Sequence, residues 1–405
     1  MEQCNADELL ASLLSKAGAT FYRGIDPYDF ASARLPIPRA LKPKLSFLNK
    51  ISPVNFRPLL GIRASENSKS NALFLHAMVN CRPEDYQREI DYLFKWFDKN
   101  RSTQFNEFSV GFAFEMTLTR YQSGPGKTSL IITLFTLFAF IAYYEKTGNA
   151  QALDAILSFE RLLDTQWLKY ESDTELWYSY LPDVKDEVYN ATAKCGRFYA
   201  LLQGIQPNDR YLRRMEKILA YMARVQHADG TWAYSVKAPY VDNFHTVFML
   251  ESIAEMNKWC ASPASTAMFE KGLATYRQHC FDAGRPLHFH TAHQPRDVRS
   301  RLLRTEIRDA ANAIILFSKL GDIQAANGII HWLLQHYYNS RKKYFYFFDN
   351  KLFKSKIDFI RWQAWMALAL SEYIAASREL RATSPEPRAA GYAKGPQLAA
   401  HSPQL

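Results

Sequence analysis

The sequence predicts an all-α fold in which six helical hairpins close into a ring, an (α/α)6 toroid. Three observations favour this fold. An aromatic segment, a polar loop and an apolar helix recur in that order along the 405-residue chain, with helix starts about 58 residues apart. Amphipathic helices alternate with helices that are apolar on nearly every side, which predicts an outer and an inner ring. Hydrophobic residues make up 48% of the chain, enough for a large shared core.

The best-defined repeat unit spans residues 226–256. Trp232 and Tyr234 alternate about a small residue, so an extended segment would place both rings on one face. Asp242 follows as an N-cap candidate for an apolar helix, because its carboxylate can accept from the first free backbone N–H groups. His245 is therefore predicted to lie near a helix N-terminus and beside aromatic rings, where a site could form.

The other units share this pattern and set the domain organisation. Inner helices are predicted to start near Ser70, Thr128, Asn190, Asn243, Thr305 and Arg361. Amphipathic helices are predicted at 83–100, 150–169, 209–225, 265–279 and 323–337. Residues 1–50 are predicted to form a short helix and an irregular segment punctuated by prolines, and residues 51–380 the toroid. Residues 381–405 are predicted to be a disordered tail, because they contain too little apolar area to fold.

The net charge and the cysteines indicate which partners and which cellular compartment to expect. The formal charge of +10 is not concentrated in any run of five or more Lys and Arg, so a nucleic-acid partner is not expected. Five scattered cysteines without metal-ligand spacing are typical of a reducing compartment. The polar N-terminus does not match a secretory signal. We therefore expect a cytoplasmic protein, with a peripheral position at the inner membrane as a further expectation.

One apolar run, residues 129–144, is shorter than the roughly 20 residues that cross a bilayer. It is also in register with the other inner helices. A buried inner helix is the better interpretation.

Residues 304–309 hold the densest set of charges on an otherwise apolar helix. Glu306 and Asp309 are i,i+3 neighbours, and Arg304 and Arg308 are i,i+4 neighbours. Burying four charges is costly unless they are paired or contact a polar ligand. Two interpretations stay open: an ion-pair network that joins two repeats, or a carboxylate acid–base pair with arginines for an anionic substrate.

His288, His290 and His293 have a spacing that suggests metal ligands at first sight. No second cluster of Cys or His accompanies them, so no metal site is expected. Hydrogen bonding to a sugar, or placement on the surface, is the preferred interpretation. No cofactor is expected either.

Aromatic residues precede most inner helices, and the ring predicts that they meet at one end. Each ring by itself is more typical of packing, but together they could form a platform for a sugar. The set comprises Trp177, Tyr180, Trp232, Tyr234 and Tyr346. Trp362, at the start of the last inner helix, could also stack on a sugar ring.

Four segments carry a resemblance to a known group of proteins. QHADGTWAY, VDNFHTVFMLESI, RTEIRDAANAI and KIDFIRWQAWMALAL resemble motifs of bacterial six-hairpin proteins of exopolysaccharide, capsule and lipopolysaccharide biosynthesis. The wider set of such toroids includes uronate lyases, glycosidases, glucuronyl C5-epimerases, terpenoid cyclases and lanthionine cyclases. The acid motif of protonation-initiated terpene cyclases and the zinc ligands of lanthionine cyclases are missing from the sequence.

The resemblance implies a protein that binds or modifies an anionic sugar during surface-polysaccharide assembly. Acid–base candidates are His245, Tyr189, Glu306 and Asp309. Substrate-binding candidates are Trp177, Tyr180, Trp232, Tyr234, Asp242, Arg304, Arg308, Arg361 and Trp362. Expected partners are an acidic oligosaccharide, a lipid-linked glycan or a sugar nucleotide, within a membrane-associated assembly complex.

Three function classes stay open. The chain could be a lyase, epimerase or hydrolase, a non-catalytic glycan-binding scaffold, or a terpenoid-cyclase-like enzyme. The toroid predicts that Trp232, His245, Glu306 and Arg361 meet at one rim, although they are far apart in the chain.

Overall fold

A computed structural model describes residues 5–33, 38, 41, 44–45, 48–49, 52–117, 122–295, 303–349 and 354–383. Its described part contains these α-helices: α1 (Ala6–Ala19), α2 (Ser68–Cys81), α3 (Gln87–Lys99), α4 (Leu130–Thr147), α5 (Ala150–Gln166), α6 (Tyr189–Ile205), α7 (Asp209–Val225), α8 (Asn243–Cys260), α9 (Pro263–His279), α10 (Ile307–Lys319), α11 (Ile323–His336) and α12 (Ile360–Thr383). Short 3-10 helices lie at Asp29–Ser32, Pro83–Tyr86 and Thr291–His293.

The even-numbered helices form a closed inner ring. Each of α2, α4, α6, α8 and α10 packs against the next even-numbered helix, and α12 packs against α2 to close the circle. The odd-numbered helices lie outside, each against its hairpin partner. The (α/α)6 toroid predicted from the repeat is therefore confirmed, and every inner helix begins within two residues of its predicted start.

The sixth outer helix comes from the start of the chain. Helix α1 packs against α12, the last inner helix, so the two ends of the described chain complete one hairpin. The predicted domain boundary at residue 50 stays a prediction, although α1, which precedes it, belongs to the outer ring of the toroid.

The predicted disordered tail lies outside the described residues from 384 onward. Helix α12 continues three residues past the predicted end of the toroid.

Short strands connect the helices. They are β1 (Met116–Thr117), β2 (Gln122–Ser123), β3 (Leu168–Glu171), β4 (Leu176–Tyr178), β5 (Phe281–Asp282), β6 (Arg285–Pro286), β7 (Thr305–Glu306), β8 (Tyr338–Asn339), β9 (Tyr344–Phe345), β10 (Phe348–Asp349) and β11 (Lys354–Ser355). Outer helices α5, α9 and α11 each run into an antiparallel hairpin, β3–β4, β5–β6 and β8–β9. A three-stranded sheet in the order β11-β10-β7 lies before α10 and α12.

Helix α4 shows how the apolar pattern is used. By length and composition Leu130–Thr147 could cross a membrane, and it is the one such helix among the described residues. It packs between α2 and α6 in the inner ring, and 72% of it is buried. Its apolar surface on all sides is therefore explained by neighbours on all sides.

A buried ion cluster lies deep along the barrel axis. The Glu251 carboxylate of α8 accepts from Lys194 Nζ at 2.7 Å, Arg197 Nη1 at 2.7 Å and Lys319 Nζ at 2.9 Å. Three inner helices are thereby joined at one carboxylate. Phe135, Phe248 and Trp365 form an aromatic layer: Phe248 and Trp365 lie between this cluster and the end of the barrel where the inner helices begin, and Phe135 packs against both rings.

Candidate functional site

A cavity of about 690 Å³ opens where the inner helices begin. The second residue of every inner helix of the described chain lines it. These six residues are Lys69, Ile131, Asn190, Phe244, Arg308 and Arg361. The N-termini of six helices therefore surround one space, and their free N–H groups and dipoles favour negative charge there.

His245 is held in the cavity wall by Asp242. The Asp242 carboxylate caps α8 by accepting from the His245 backbone N–H at 2.8 Å, and it also bonds His245 Nδ1 at 2.7 Å. Burial alone would raise the pKa of Asp242, but the adjacent imidazole outweighs it and lowers that pKa to about 2. A carboxylate on Nδ1 leaves Nε2 to act on a ligand, and no described group bonds Nε2.

His288 forms a second pair of the same kind. It lies in a segment bonded on both sides, because Asn243 N–H donates to its carbonyl and its own N–H donates to Arg304 O. Its Nδ1 is 2.8 Å from Asp309 Oδ2. Burial acts to lower the pKa of His288, but the Asp309 carboxylate outweighs it and raises that pKa above its ordinary value. His288 and His245 line the same cavity.

Arg308 is anchored from behind by Glu306. Arg308 Nε lies 2.7 Å from Glu306 Oε1, and the Glu306 side chain is fully buried. The guanidinium lies over the Phe244 ring at 4.4 Å and over Trp362 at 5.6 Å. Glu306 and Asp309 form the capping box of α10. Both expected acid–base carboxylates are therefore committed to holding Arg308 and His288, and they do not line the cavity.

Arg361 is anchored in a similar way from the N-terminal segment. Its Nε donates to Asp26 Oδ2 at 2.7 Å, and its guanidinium lies 5.0 Å from the Tyr28 ring. Asn67, which caps α2, also donates to Asp26. The segment before α2 therefore positions a residue of the last inner helix.

Aromatic rings wall the remaining sides. Tyr234 and Tyr240 are stacked at 5.3 Å, and Tyr234 meets His245 edge-on at 4.6 Å. Phe289 packs edge-on against Tyr240 at 6.2 Å. Such rings can contact the apolar face of a sugar, while the polar groups bond its hydroxyls.

The structure brings seven of the thirteen predicted site residues to this cavity: Tyr180, Tyr234, Asp242, His245, Arg308, Arg361 and Trp362. Trp177, Tyr189, Trp232, Arg304, Glu306 and Asp309 do not line it. Of the four residues expected at one rim, His245 and Arg361 line the cavity and Glu306 lies behind Arg308. Trp232 lies elsewhere.

The two tryptophans of the expected platform need correction. Trp232 is 2% exposed, and its Nε1 donates to Met222 O at 3.0 Å. It packs so closely on α9 that a Cβ added at Gly272 would meet it at 2.5 Å. Trp177 is buried in β4. Trp232 therefore packs against outer helix α9, and Trp177 is a buried residue of β4 that does not line the cavity.

Tyr189 and Arg304 also lie away from the cavity. The Tyr189 ring packs edge-on against Tyr221 of α7 at 6.1 Å, because the first residue of α6 faces the outer ring. Arg304 is exposed, and its backbone carbonyl rather than its side chain supports the site by accepting from His288.

Sequence reasoning missed Lys69 and Asn190. Both occupy the position that Arg308 and Arg361 occupy in their own helices. Aligning the units at their helix starts would have found them. Lys69 is 5% exposed and its ammonium lies over Phe135 and, at 5.2 Å, over Trp365. Burial, helped by Lys194 and Arg361, lowers the pKa of Lys69 well below its ordinary value.

One group of described side chains has ligand atoms spaced for a metal ion: His227, Asp229 and His293. His293 Nε2 bonds Asp229 Oδ2, and His227 Nδ1 bonds Thr231 Oγ1 at 3.0 Å. Hydrogen bonds therefore already account for these nitrogens. The expectation of a site without metal stays a prediction.

Comparison with protein-family models and with curated proteins gives no match. Solved structures do match. A cellobiose 2-epimerase from Bacillus thermoamylovorans superposes with a TM-score of 0.58 at 11% identity, covering 76% of this chain and 88% of that one. An α-1,6-mannanase from Salegentibacter gives 0.58 at 10% identity, covering 92% and 100%. A family 88 glycosyl hydrolase from Bacteroides vulgatus gives 0.56 at 11% identity, covering 92% and 99%. At these identities the likeness shows the toroid fold alone.

Proposed function

We propose that the protein is a sugar-modifying enzyme that moves a proton to and from a carbon atom, as an epimerase or a lyase does. The observation that carries this proposal is the His245–Asp242 pair. A carboxylate on Nδ1 fixes the tautomer in which Nε2 holds a lone pair, and the side chain lines the cavity. That arrangement suits a general base.

His288 complements His245 in this role. Its raised pKa keeps a larger fraction of the ring protonated near neutral pH, so His288 can return a proton where His245 removes one. Negative charge that develops on the substrate oxygen would be stabilised by Arg308 and by the surrounding helix N-termini. The aromatic walls orient the ring and exclude water.

The number of carboxylates on the cavity lining argues against glycoside hydrolysis. Hydrolysis of that kind uses two carboxyl groups that flank the scissile bond. Asp242 is the sole carboxylate among the described lining residues, and it is bonded to His245. The same pairing disfavours a terpenoid cyclase, which needs an unpaired acid. Of the chemistries first considered, epimerisation and elimination fit best.

The wider setting rests on the sequence motifs. Their resemblance to six-hairpin proteins of exopolysaccharide, capsule and lipopolysaccharide assembly supports a substrate from that process, either an acidic oligosaccharide, a lipid-linked glycan or a sugar nucleotide. The scattered free thiols among the described residues support a cytoplasmic location. A peripheral position at the inner membrane follows only from the proposed role in surface-polysaccharide assembly. The structural neighbours named for sugar epimerisation and hydrolysis support a sugar as the ligand.

Hydrogen–deuterium exchange tests the chemistry directly. Uronic acids, reducing disaccharides and sugar nucleotides are incubated with the protein in D2O, and incorporation at carbon is followed by NMR. We expect exchange with at least one class, reduced about 100-fold or more in His245→Asn. His331→Asn, on outer helix α11, is the matched control. Undiminished exchange in His245→Asn contradicts the assignment, and sugars that bind without exchanging favour the scaffold interpretation.

A further inference from the structure

Four buried hydrogen-bond donors on the cavity lining have no partner in the described chain. They are Lys69 Nζ, Asn190 Nδ2, Arg361 Nη2 and Trp362 Nε1. Each residue is less than 8% exposed. An unsatisfied buried donor costs free energy, more when it is charged, so four on the lining of one cavity need an explanation.

Three of the four groups have one polarity. Lys69 Nζ, Arg361 Nη2 and Trp362 Nε1 can only donate, the Asn190 amide can also accept through its oxygen, and no fully buried side-chain acceptor on the described cavity lining lacks a partner. A neutral sugar hydroxyl both donates and accepts, so a site for hydroxyls alone would be expected to present both kinds of group. A set in which three of four groups can only donate matches a ligand group that only accepts, namely an oxyanion.

The charge balance leads to the same conclusion. Asp26 takes one nitrogen of Arg361, and Glu251 takes Lys194, which lies behind the aromatic layer. Lys69 has no carboxylate partner. The floor of the cavity therefore has a basic group that no carboxylate compensates, within the field of the N-termini of α2, α6 and α12.

We propose that Lys69, Asn190, Arg361 and Trp362 form a subsite for one anionic group of the substrate, a carboxylate or a phosphate attached to a sugar. Lys69 and Arg361 supply charge, while Asn190 and Trp362 supply directional bonds. This subsite deepens the proposed function, because it places the anion at the floor and the reacting carbon at the histidines. Binding of an anion at this subsite does not depend on which reaction follows at the histidines.

Proton uptake is a consequence of this placement. The charged groups that act on Lys69 are Lys194 of α6, Arg361 of α12 and, with a smaller and opposite effect, Glu251 of α8; α4 contributes the apolar Phe135. Without a bound anion these surroundings favour the neutral amine. An oxyanion beside Nζ favours the ammonium, so binding should take up a proton on Lys69.

Calorimetry tests the subsite without reference to turnover. Methyl glucuronide, glucose 6-phosphate, inorganic phosphate and neutral methyl glucoside are titrated at millimolar concentration in buffers of different ionisation enthalpy. We expect an anionic sugar to bind at least about tenfold more tightly than the glucoside, with proton uptake. The relative affinities of the glucuronide and the phosphates identify which anion the subsite takes.

Variants separate binding from folding. Lys69→Met and Trp362→Phe should each weaken the anionic ligand about tenfold or more, and Lys69→Met should abolish proton uptake. Since Lys69 has no hydrogen-bond or carboxylate partner to lose, and methionine keeps the apolar contact with Phe135 and Trp365, Lys69→Met should not lower the Tm. Lys95→Met, on the exposed face of α3, is the control and should change nothing.

Three results would overturn the subsite. These are no binding of any anionic ligand to the wild type, equal affinity for glucuronide and glucoside, or unchanged affinity in both variants. Failure of the exchange experiment with anion binding intact would remove the proposed chemistry and leave the subsite standing. Exchange on neutral sugars alone would do the reverse.

Discussion

The Asp242 carboxylate performs two tasks for His245: it accepts the backbone N–H at 2.8 Å and holds the ring Nδ1 at 2.7 Å. Capping and orientation are therefore provided by one side chain. Helix geometry makes this possible, because an N-cap and the third helical residue face each other across the first turn. His245 is thus fixed in rotamer and tautomer before any ligand arrives.

Asp242→Asn separates the two tasks. Asparagine is as good an N-cap as aspartate, so the free energy of unfolding at neutral pH should change little through the cap. The amide cannot stabilise an imidazolium as a carboxylate does, so the rate of carbon–hydrogen exchange should fall about 100-fold. Asp242→Ala should show the same loss of rate and an added loss of about 1 kcal/mol in stability from the missing cap. Equal rates in wild type and Asp242→Asn would show that the pair is not part of the chemistry.

The pH dependence of the free energy of unfolding at acidic pH, the acid limb, provides a second measurement on Asp242. The pKa of Asp242 is about 2 in the folded chain and 3.8 when unperturbed. A lowered carboxyl pKa stabilises the fold above the unfolded value, and this contribution is lost as pH falls from about 4 to about 2. The difference corresponds to about 2 kcal/mol. Urea unfolding at a series of pH values should therefore show a steeper acid limb in wild type than in Asp242→Asn. Parallel limbs would contradict the lowered pKa.

Periodicity was sufficient to predict the ring. The apolar helices repeat at a constant spacing and are buried on every side, and only a closed arrangement with an outer layer satisfies six of them together. The contribution of α1 was missed, because its hairpin partner α12 lies at the other end of the chain. A contact that spans nearly the whole sequence has no local signature.

The site was predicted in part, for a physical reason. His245, Arg308 and Arg361 were found because charged or titratable residues are conspicuous in apolar helices. Lys69 was missed because its helix has a more polar start, where one lysine does not stand out. Glu306 was assigned to chemistry because sequence alone shows that a charge is buried but not whether its partner is a ligand or, as here, a neighbouring arginine.

Trp232→Phe tests whether this tryptophan is a packing residue. The change removes the hydrogen bond to the Met222 carbonyl and leaves a void against α9, so stability should fall by about 1–3 kcal/mol. Ligand affinity should stay unchanged, because the ring does not line the cavity. Trp362→Phe is the matched variant, with the opposite expectation for affinity. Calorimetry and urea unfolding on both variants decide the point, and weakened sugar binding in Trp232→Phe would restore the ring to the platform.

Glu251→Gln tests the ion cluster on the barrel axis. Glu251 is 6% exposed and pairs with Lys194, Arg197 and Lys319, and these neighbours hold its pKa well below the ordinary value against the effect of burial. An amide would leave three cations near one another without their shared anion. Removing one partner of a buried ion pair costs about 3–5 kcal/mol, so a loss of that size is expected in urea unfolding at neutral pH.

The matched control is Glu270→Gln, an exposed position on α9, where the change in stability should stay within about 0.5 kcal/mol. The cluster lies behind the aromatic layer, so sugar affinity measured well below the unfolding transition should be preserved in Glu251→Gln. If stability is unchanged in Glu251→Gln, the three cations must be neutralised in another way. The physical account of the barrel axis would then be wrong.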